Sequence, residues 1–342
     1  MPKPYALLRA GFPYLKTVGV KGVIDDPLDI AFGGEGRVYV LGSAPIRITN
    51  IDHEDLGTIG ERSYNPDYGS NGDAISVSEG QLFMPVQVVL DSEENLYVSD
   101  EACHTIPVFS KENVFLRRWG EHGTGDGQLK RPAGIAFDAD ENLLVVDTMN
   151  HRIQTFTKDG QFLKSWGSLG TGEGEFNMPW GVAVDDDGDV YVSDWRNDRI
   201  QKFSGEGQFI AAFGSTGQAD GNLNRPSSVE VDADGFIYVA DWGNERIQVF
   251  APDFAHRATL QGEATLSRWA KDFLAANLDE TETRKNSNLD PKDLPPQYNT
   301  PHLVSSQIEP YFWGPASVNV DPHGRMWVTE TSRHRIQVYQ KG

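Results

Sequence analysis

The sequence predicts an all-β fold, a six-bladed β-propeller of four-stranded antiparallel blades, and three observations lead to this prediction. Residues 179–214 divide into four short strands of alternating apolar and polar residues, with Asp- and Gly-rich turns between them. Similar stretches begin at prolines 47 residues apart, namely Pro85, Pro132, Pro179 and Pro226. Two more begin at Pro27 and Pro315, which makes six. A period of this length, with a whole sheet in each repeat, is typical of a propeller.

The two ends of the repeat array are predicted to close the ring. The last repeat has a third strand at 335–339 and no fourth. Residues 14–19 read YLKTVG and match FLKSWG at 162–167, which is the fourth strand of another repeat. The N-terminal segment is therefore expected to complete the last blade, which would remove the open edge strands. Residues 1–342 then form one domain.

A common run within the repeats carries a family resemblance. From Pro179 the fourth repeat reads PWGVAVDDDGDVYVSDWRNDRIQKF, and the other repeats are variants of it. This run resembles the NHL repeat family of six-bladed propellers, over nearly the whole chain apart from its insertions. The resemblance implies the fold. It also implies a range of functions, because the family includes metal-dependent lyases, protein- or RNA-binding scaffolds and sensor domains, so the function must be argued from the site.

The composition excludes some of these partners. Asp and Glu outnumber Lys and Arg by 50 to 30, and the formal net charge is −20. Nucleic acid is not expected as a partner, because phosphates are bound by Lys and Arg. The single cysteine, Cys103, permits no intramolecular disulfide and indicates a reducing compartment. No apolar run reaches the length of a membrane span, so we expect a cytoplasmic protein without membrane contact.

Two insertions interrupt the period, at 61–84 and at 252–313. The first is rich in Asn, Gly, Ser and Asp and is expected to be a loop. In the second, apolar residues at helical spacing between Leu266 and Leu278 predict one amphipathic helix, followed by a polar, Pro-rich lid. Both insertions connect a fourth strand to the next first strand, which is expected to place them on one rim. We expect them to form a wall over the axial mouth.

Two columns of charged residues recur in the blades and are expected to form structural ion pairs. The acidic column lies fifteen residues after each opening proline, and the arginine column lies twenty after it. They comprise Asp100, Asp147, Asp194, Asp241 and Glu330, and Arg47, Arg152, Arg199, Arg246 and Arg335. Glu330 differs from the Asp of the other blades, which makes it the candidate catalytic acid or base, or a ligand.

A third column lies directly before the arginines. It comprises His104, His151, Asp198, Glu245 and His334. Three imidazoles in equivalent turns suggest metal ligands, but equivalent positions of different blades lie too far apart around a ring to share one ion. The sequence therefore predicts that these are solvent-exposed turn residues.

The residues that flank the opening prolines lie nearest the axis. The NHL-type lyases that complete peptide amidation carry metal-ligating histidine directly after such prolines, and none of the six positions here is His. Arg131 and Arg225 precede two of the prolines, and Trp180, Trp195 and Trp242 lie near the same mouth. Arginine beside aromatic rings suits a carboxylate or another small anion. Packing between blades and pairing with nearby acids would account for the same residues without a ligand.

Two functions remain open at this point. The first is a small-molecule-binding enzyme of lyase or hydrolase type at the axial mouth. In it, Arg131 and Arg225 would hold an anionic ligand, the tryptophans would shape the pocket, and a divalent cation, calcium or zinc, would be the cofactor. The second is a non-catalytic scaffold that offers its rim to a protein or peptide. The insertions and arginines favour the first function, and the lack of axial histidines favours the second.

Overall fold

The computed structural model describes residues 12–19, 21–43, 45–63 and 77–341 and confirms the predicted propeller. Six four-stranded antiparallel sheets form the blades. The first strand of each blade packs beside the first strands of its two neighbours, and this ring of contacts closes between blades 1 and 6. Six inner strands therefore surround a central axis.

The strands run outward from the axis in chain order within blades 1 to 5. The chain opens with β1 (Tyr14–Val18). Blade 1 contains β2 (Asp29–Phe32), β3 (Val38–Leu41), β4 (Ile46–Thr49) and β5 (Asp55–Ile59), and a short parallel pair follows, β6 (Glu61–Arg62) and β7 (Gln81–Leu82). Blade 2 contains β8 (Pro85–Leu90), β9 (Leu96–Asp100), β10 (Ile106–Phe109) and β11 (Phe115–Trp119). Blade 3 contains β12 (Pro132–Phe137), β13 (Leu143–Asp147), β14 (Arg152–Phe156) and β15 (Phe162–Trp166).

The second half of the ring follows the same plan. Blade 4 contains β16 (Pro179–Val184), β17 (Val190–Asp194), β18 (Arg199–Phe203) and β19 (Phe209–Phe213). Blade 5 contains β20 (Pro226–Val231), β21 (Ile237–Asp241), β22 (Arg246–Phe250) and β23 (His256–Leu260). Blade 6 contains β24 (Pro315–Val320), β25 (Arg325–Glu330), β26 (Arg335–Gln340) and β1. Short 3-10 turns occupy Gly34–Gly36, Thr148–Asn150, Trp195–Asn197, Trp242–Asn244 and Thr331–Arg333.

Ring closure occurs as predicted, through the N-terminal strand. β1 pairs antiparallel with β26, and Thr17 lies opposite Gln337 and Val18 opposite Ile336. β1 is therefore the outermost strand of blade 6. The chain closes its ring by main-chain pairing between its first and last strands, which removes the free edge on β26.

The apolar side chains of the strands are buried between neighbouring blades rather than in one central core. Between blades 3 and 4, Val146 and Ile153 pack against Val182, Val192 and Phe203, and none of the five is more than 3% exposed. Similar apolar layers fill the other five interfaces. Because each blade is covered on both sides by its neighbours, removing one blade would expose two apolar faces.

The insertion between blades 5 and 6 contains three helices instead of the single predicted one: α1 (Arg268–Ala276), α2 (Leu278–Lys285) and α3 (Pro301–Gln307). Ser267 caps α1, since its hydroxyl accepts a hydrogen bond from the backbone of Ala270. α2 has no apolar stripe, but acidic residues begin it and basic residues end it, which complements the helix dipole. Thr300 caps α3. The polar sequence from 279 onward was wrongly predicted to lack helices, because capping and charge rather than periodicity support them.

The helix α1 lies against the outer wall of the propeller and not over its axis. Trp269 packs beside Val18 and Ile24 and lies edge-on to His53, with ring centroids 5.4 Å apart. Ser267 Oγ donates to Gly19 O at 2.6 Å. These contacts are with blades 6 and 1, far out from the inner strands. The predicted wall over the mouth is therefore not built by this helix.

Candidate functional site

The acidic and arginine columns form the same buried network in blades 3 to 6. In blade 4, Asp194 Oδ2 accepts from Arg199 Nε at 2.9 Å and from Asn197 Nδ2 at 2.8 Å, and Asp194 Oδ1 accepts from the backbone N of Asn177. The Arg199 guanidinium also donates to three backbone carbonyls of the preceding connector. Asp194 is fully buried, and burial raises its pKa although these donors lower it. The network joins each rim turn to the connector that precedes it.

Glu330 occupies the equivalent place in blade 6. It is fully buried; its Oε1 accepts from Arg335 Nε and from Gln337 Nε2, both at 2.8 Å, and its Oε2 accepts from the backbone N of Trp313. Glu330 therefore does not reach the axial cavity described below, and its contacts are those of Asp194. The structure gives no geometric support for Glu330 as a catalytic acid or base.

The third column is not a set of exposed turn residues, because it links neighbouring blades. In five blades its side chain accepts a hydrogen bond from the backbone N of the residue before the next opening proline. The pairs are His104 Nδ1 with Arg131 (2.9 Å), His151 Nδ1 with Met178 (3.0 Å), Asp198 Oδ1 with Arg225 (2.8 Å), Glu245 Oε2 with Gly314 (2.6 Å) and His334 Nδ1 with Asp26 (3.1 Å). We call these five hydrogen bonds the latches.

The latches join residues whose backbone adopts the left-handed conformation. All five acceptor residues have φ between 52° and 58°, and their donors also have positive φ, including the non-glycine residues Arg131 and Met178. Such conformations cost about 1–3 kcal/mol each when nothing compensates them. In the His latches the accepting Nδ1 must be unprotonated. For His104, burial and then the neighbouring His122 and Arg131 lower the pKa to about 4.

A cavity of about 510 Å³ lies on the axis, at the end where the inner strands begin. Its lining comes largely from the two residues after each opening proline, and it differs from blade to blade. These residues are Leu28, Asp29, Val86, Gln87, Gly134, Trp180, Gly181, Ser227, Ser228, Ala316 and Ser317. At Gly181, an added Cβ would lie 2.8 Å from Ser227 O, so only glycine permits this approach of blades 4 and 5. The volume suits a small organic ligand.

All three predicted tryptophans line this cavity. Trp180 and Trp195 come from blade 4, with ring centroids 6.3 Å apart at an angle of 38°. Trp242 comes from the equivalent turn of blade 5, one repeat after Trp195. Since Trp195 and Trp242 open the 3-10 turns at the rim, their rings extend the cavity wall above the inner strands. The structure therefore brings together the aromatic part of the predicted site.

The two predicted arginines have different surroundings. The guanidinium of Arg225 lies 5.1 Å from the ring centroid of Trp195, and no carboxylate pairs with it among the described residues. Arg131 Nε instead binds Glu101 Oε1 at 2.7 Å, and Glu101, not Arg131, lines the cavity. Arg131 is therefore already neutralised by an acid that the sequence analysis did not single out. Burial raises the pKa of Glu101, and Arg131 opposes this effect.

Only the first insertion contributes to the cavity among the residues that the structure describes. Arg62, Phe83 and Met84 line it, whereas no residue of 252–313 does. Arg62 is exposed and its guanidinium has no hydrogen-bond or ion-pair partner within the described part of the chain. Residues 64–76 of this insertion lie outside the described residues. The predicted lid over the axis is thus wrong for the long insertion, whose α1 and α3 pack on the wall and rim.

The cavity lining contains a buried carboxyl group, Asp29, that the sequence analysis missed. Asp29 is 2% exposed; it accepts from Val88 N at 3.1 Å and from Asn319 Nδ2 at 3.0 Å. Burial raises its pKa to about 6. Glu230 lies two residues beyond Ser228 on the same face of β20, and burial and then Asp29 raise its pKa to about 8. The sequence contains a signal for this acidic residue. Asp29 is the second residue after its opening proline, where the other blades carry Gly, Ser or Gln.

No metal centre can be assigned from these residues. Within 12–19, 21–43, 45–63 and 77–341, no group of three or more His, Cys, Asp or Glu side chains is arranged to hold an ion. The calcium or zinc ion of the sequence analysis therefore stays a prediction.

Fold and site together define a class: a six-bladed β-propeller with an aromatic-walled cavity on its axis. The family model described as NHL repeat matches residues 129–156, 176–203, 223–250 and 312–339, which are the first three strands of blades 3 to 6. The chain therefore contains NHL repeats and folds as a six-bladed β-propeller. No curated protein matches the sequence. None of the described helices is long and apolar enough to cross a membrane.

Several solved structures share the fold. A catalytically inactive virginiamycin B lyase from Staphylococcus aureus, determined with quinupristin, superposes with a TM-score of 0.55 at 12% identity, over 95% of this chain and 87% of that chain. A streptogramin B lyase gives 0.57 at 11% identity, over 97% and 98%. A protein of unknown function from Bacteroides thetaiotaomicron gives 0.60 at 19% identity, over 97% and 73%. Identities this low show the fold alone.

Proposed function

We propose that this protein binds a small amphipathic molecule in the axial cavity, with an anionic group at the mouth and an apolar body between the tryptophans. The observation that carries the proposal is the cavity itself: about 510 Å³, walled by Trp180, Trp195 and Trp242, on the axis of an otherwise repetitive ring. Partly exposed aromatic rings around a concave site are typical of ligand binding. A purely structural role would bury these rings between blades, as it buries Phe203.

The anionic group is assigned to Arg225 and Arg62. Both guanidiniums are exposed, and neither has a carboxylate partner among the described residues. Arg225 is held over Trp195, so its position is set by the same ring that would contact the ligand. Arg131 is assigned a supporting role, because its charge is used by Glu101.

A lyase or hydrolase reaction is the extension of this proposal. Two of the solved structures with this fold are named as lyases. The candidate acid or base is Glu101, which lines the cavity and whose pKa is raised by burial. A panel of 3-phenylpropanoyl esters and amides would test it: Glu101→Gln is expected to abolish turnover while ligand binding persists. Equal turnover in this variant would remove Glu101 from the mechanism.

Binding can be tested with 3-phenylpropanoate, a carboxylate joined to an aromatic ring by a short chain. We expect it to change the tryptophan fluorescence of the wild-type protein and to bind with measurable heat in calorimetry. Trp180→Ala is expected to weaken binding at least about tenfold, because an aromatic contact of this kind contributes about 0.5–1.5 kcal/mol beyond buried area. Trp313→Ala is the matched control, since Trp313 does not line the cavity. Equal losses in both variants, or no binding at all, would refute the proposal.

The second candidate is a scaffold for a protein or peptide. The insertion favours it, because Phe273 is 50% exposed and Leu278 is 75% exposed, and both lie on its outer surface. A scaffold would lose partner binding when both residues are changed to Ser and would keep it in Trp180→Ala. A ligand-binding propeller would show the opposite pattern.

A further inference from the structure

We propose that the ligand of the axial cavity also carries an amino group, and that its ammonium is bound at the deep end by Asp29. This inference rests on the proposed function, because the same cavity holds the rest of the ligand. The ligand class is then a zwitterion or an amine with an aromatic or aliphatic body. Its positively charged end would point into the cavity, and the negatively charged end of a zwitterion would point toward the mouth.

The first support is the charge of the floor. Asp29 lines the cavity and is 2% exposed, yet no Lys, Arg or His pairs with it among the described residues. Its oxygens accept from neutral donors, namely Val88 N, Asn319 Nδ2, the backbone N of Ile30 and the Ser317 hydroxyl. A buried carboxylate is normally matched by a cation, since burying an unpaired charge is costly. The missing positive charge is what a ligand ammonium would supply.

The second support comes from Glu230, on the inner strand of blade 5. Its side chain is partly buried, and its carboxyl has no hydrogen-bond partner within the described residues. The charged groups that act on it are Asp29 from blade 1 and Asp232 from its own blade, and both are acidic. The nearest lysine of blade 6, Lys341, is bound to Asp232 at 2.6 Å and to Asp234 at 3.0 Å. Two acids on the inner strands of different blades thus lie close enough to influence each other's charge, and no Lys, Arg or His of the described residues pairs with either.

The third support is the order of surfaces along the axis. Asp29 lines the cavity two residues after an opening proline, and three tryptophan rings form the wall. Arg62 lines the cavity as well, and the guanidinium of Arg225 lies over the Trp195 ring at the rim, outside the lining residues. An ammonium is attracted both by carboxylates and by the faces of indole rings, and the arginines repel it from the mouth. A ligand with one positive and one negative end would therefore bind in a single orientation.

Proton uptake and release follow from this arrangement. Asp29 has a pKa of about 6 and Glu230 a pKa of about 8 without ligand, so at pH 7 Glu230 is mostly protonated. A bound ammonium favours the charged form of both acids and lowers both pKa values. Binding of an amine is thus expected to release protons, and amine affinity is expected to rise between pH 6 and pH 8.5.

The experiment compares two probes of equal shape, 2-phenylethylamine and 2-phenylethanol, by calorimetry at pH 8.5 and pH 6. At pH 8.5 the amine is expected to bind wild-type protein about tenfold or more tightly than the alcohol, and the advantage is expected to shrink at pH 6. Asp29→Asn should remove the advantage. Glu230→Gln should remove most of the pH dependence, and it breaks no side-chain hydrogen bond within the described part of the chain. Asp187→Asn is the control: Asp187 lies in an exposed turn outside the cavity lining, and the substitution removes the same charge. It should change neither the advantage of the amine over the alcohol nor its pH dependence.

The outcomes separate this inference from the proposed function. Equal affinity of amine and alcohol, with 3-phenylpropanoate still bound, would overturn the inference and leave the cavity as an anion site. An amine preference that survives Asp29→Asn and Glu230→Gln would overturn it as well. Failure of all three probes to bind would refute the proposed function and, with it, the inference. Calorimetry in two buffers of different ionisation enthalpy measures the proton release directly.

Discussion

The rim network and the axial lining are built from the same repeats, but they differ in how strictly the repeat is kept. At the rim, Asp194 with Arg199 in blade 4 and Asp241 with Arg246 in blade 5 make nearly identical contacts. On the axis, the residues directly after the opening prolines change completely between the same two blades, from Trp180 to Ser227. Contacts that recur in each blade stabilise the ring. Residues that occupy the same repeat position but differ between blades do not serve this common purpose, so they can be specific for a ligand.

The largest expected effect is on stability, and it tests whether the rim arginines are needed for the folded ring. Arg246 is 8% exposed and binds Asp241, which is fully buried, at 2.7 Å. Arg246→Met is expected to lower the free energy of unfolding by about 3–5 kcal/mol, because it leaves a buried carboxylate unpaired. Urea unfolding followed by fluorescence measures the change, and ligand affinity of the folded protein should not move.

The first blade offers a matched control for this measurement. Arg47 belongs to the same column, but Gly42 stands where the acid would be, and Arg47 pairs instead with Asp55, which is 58% exposed. Arg47→Met is therefore expected to cost only about 0–1 kcal/mol. Equal costs in the two variants would mean that burial of the pair does not decide its contribution.

The latches sharpen the comparison through pH. His104 has a pKa of about 4 in the folded protein and an ordinary value near 6.5 when unfolded, so the unfolded chain binds more protons between these values. Stability from this latch is complete above about pH 6.5 and is lost as the pH falls toward 4. The expected loss between pH 7 and pH 4.5 is about 2–3 kcal/mol.

His104→Asn is the variant that isolates this effect. Asn keeps an acceptor for the backbone N of Arg131 and tolerates the left-handed backbone, with φ of 58° at this position, but it does not titrate. Unfolding at pH 7 should therefore change little, and the difference between pH 7 and pH 4.5 should shrink by the amount above. An unchanged pH profile would show that the pKa of His104 is not lowered in the folded protein, so that protonation of this latch does not limit stability.

On the axis, the opposite pattern is expected: affinity changes and stability does not. Trp195 is half-buried, and its ring faces the cavity and Arg225. Trp195→Leu should weaken 3-phenylpropanoate binding about tenfold, since an aromatic wall contributes about 1–2 kcal/mol. The free energy of unfolding should fall by less than the Arg246→Met variant loses. A larger loss of stability than of affinity would place Trp195 with the structural residues.

The smallest effect is expected for Arg225→Met. An exposed guanidinium over an indole ring contributes about 0.5–1 kcal/mol, so affinity for 3-phenylpropanoate should fall about three- to fivefold. The backbone N of Arg225 still donates to Asp198 in this variant, so the latch remains. Thermal unfolding checks that stability is unchanged, and 2-phenylethanol, which has no charge, should bind as before.

Much of the fold could be predicted because each repeat carries the same residues at the same spacing, which identifies its strands and turns. The proline that opens a blade, the Asp fifteen residues later and the Arg five beyond it are local in sequence, and their pairing is local in space. The closing strand at Tyr14–Val18 was predictable for the same reason, since it copies the fourth strand of another repeat. α2 and α3 were missed because caps and charges rather than an apolar stripe support them.

The site was predictable only in part, because its decisive contacts join different blades. The tryptophans were found from their registers, but the pairing of Arg131 with Glu101 crosses from blade 2 to blade 3. The approach of Asp29 and Glu230 depends on two strands about two hundred residues apart in the chain. Repeat spacing predicts which residues occupy equivalent positions in the blades. It does not predict which of their side chains contact one another across the ring.

The closing strand has a consequence for how the protein is made. β1 is translated about three hundred residues before β26, which is its partner in the sheet. Until then the nascent chain carries an unpaired edge, Tyr14–Val18, while blades 1 to 5 are already able to form. Translation of β26 therefore supplies the partner that β1 lacks until then, and a chain that stops short of β26 would leave that edge open to pairing with another molecule.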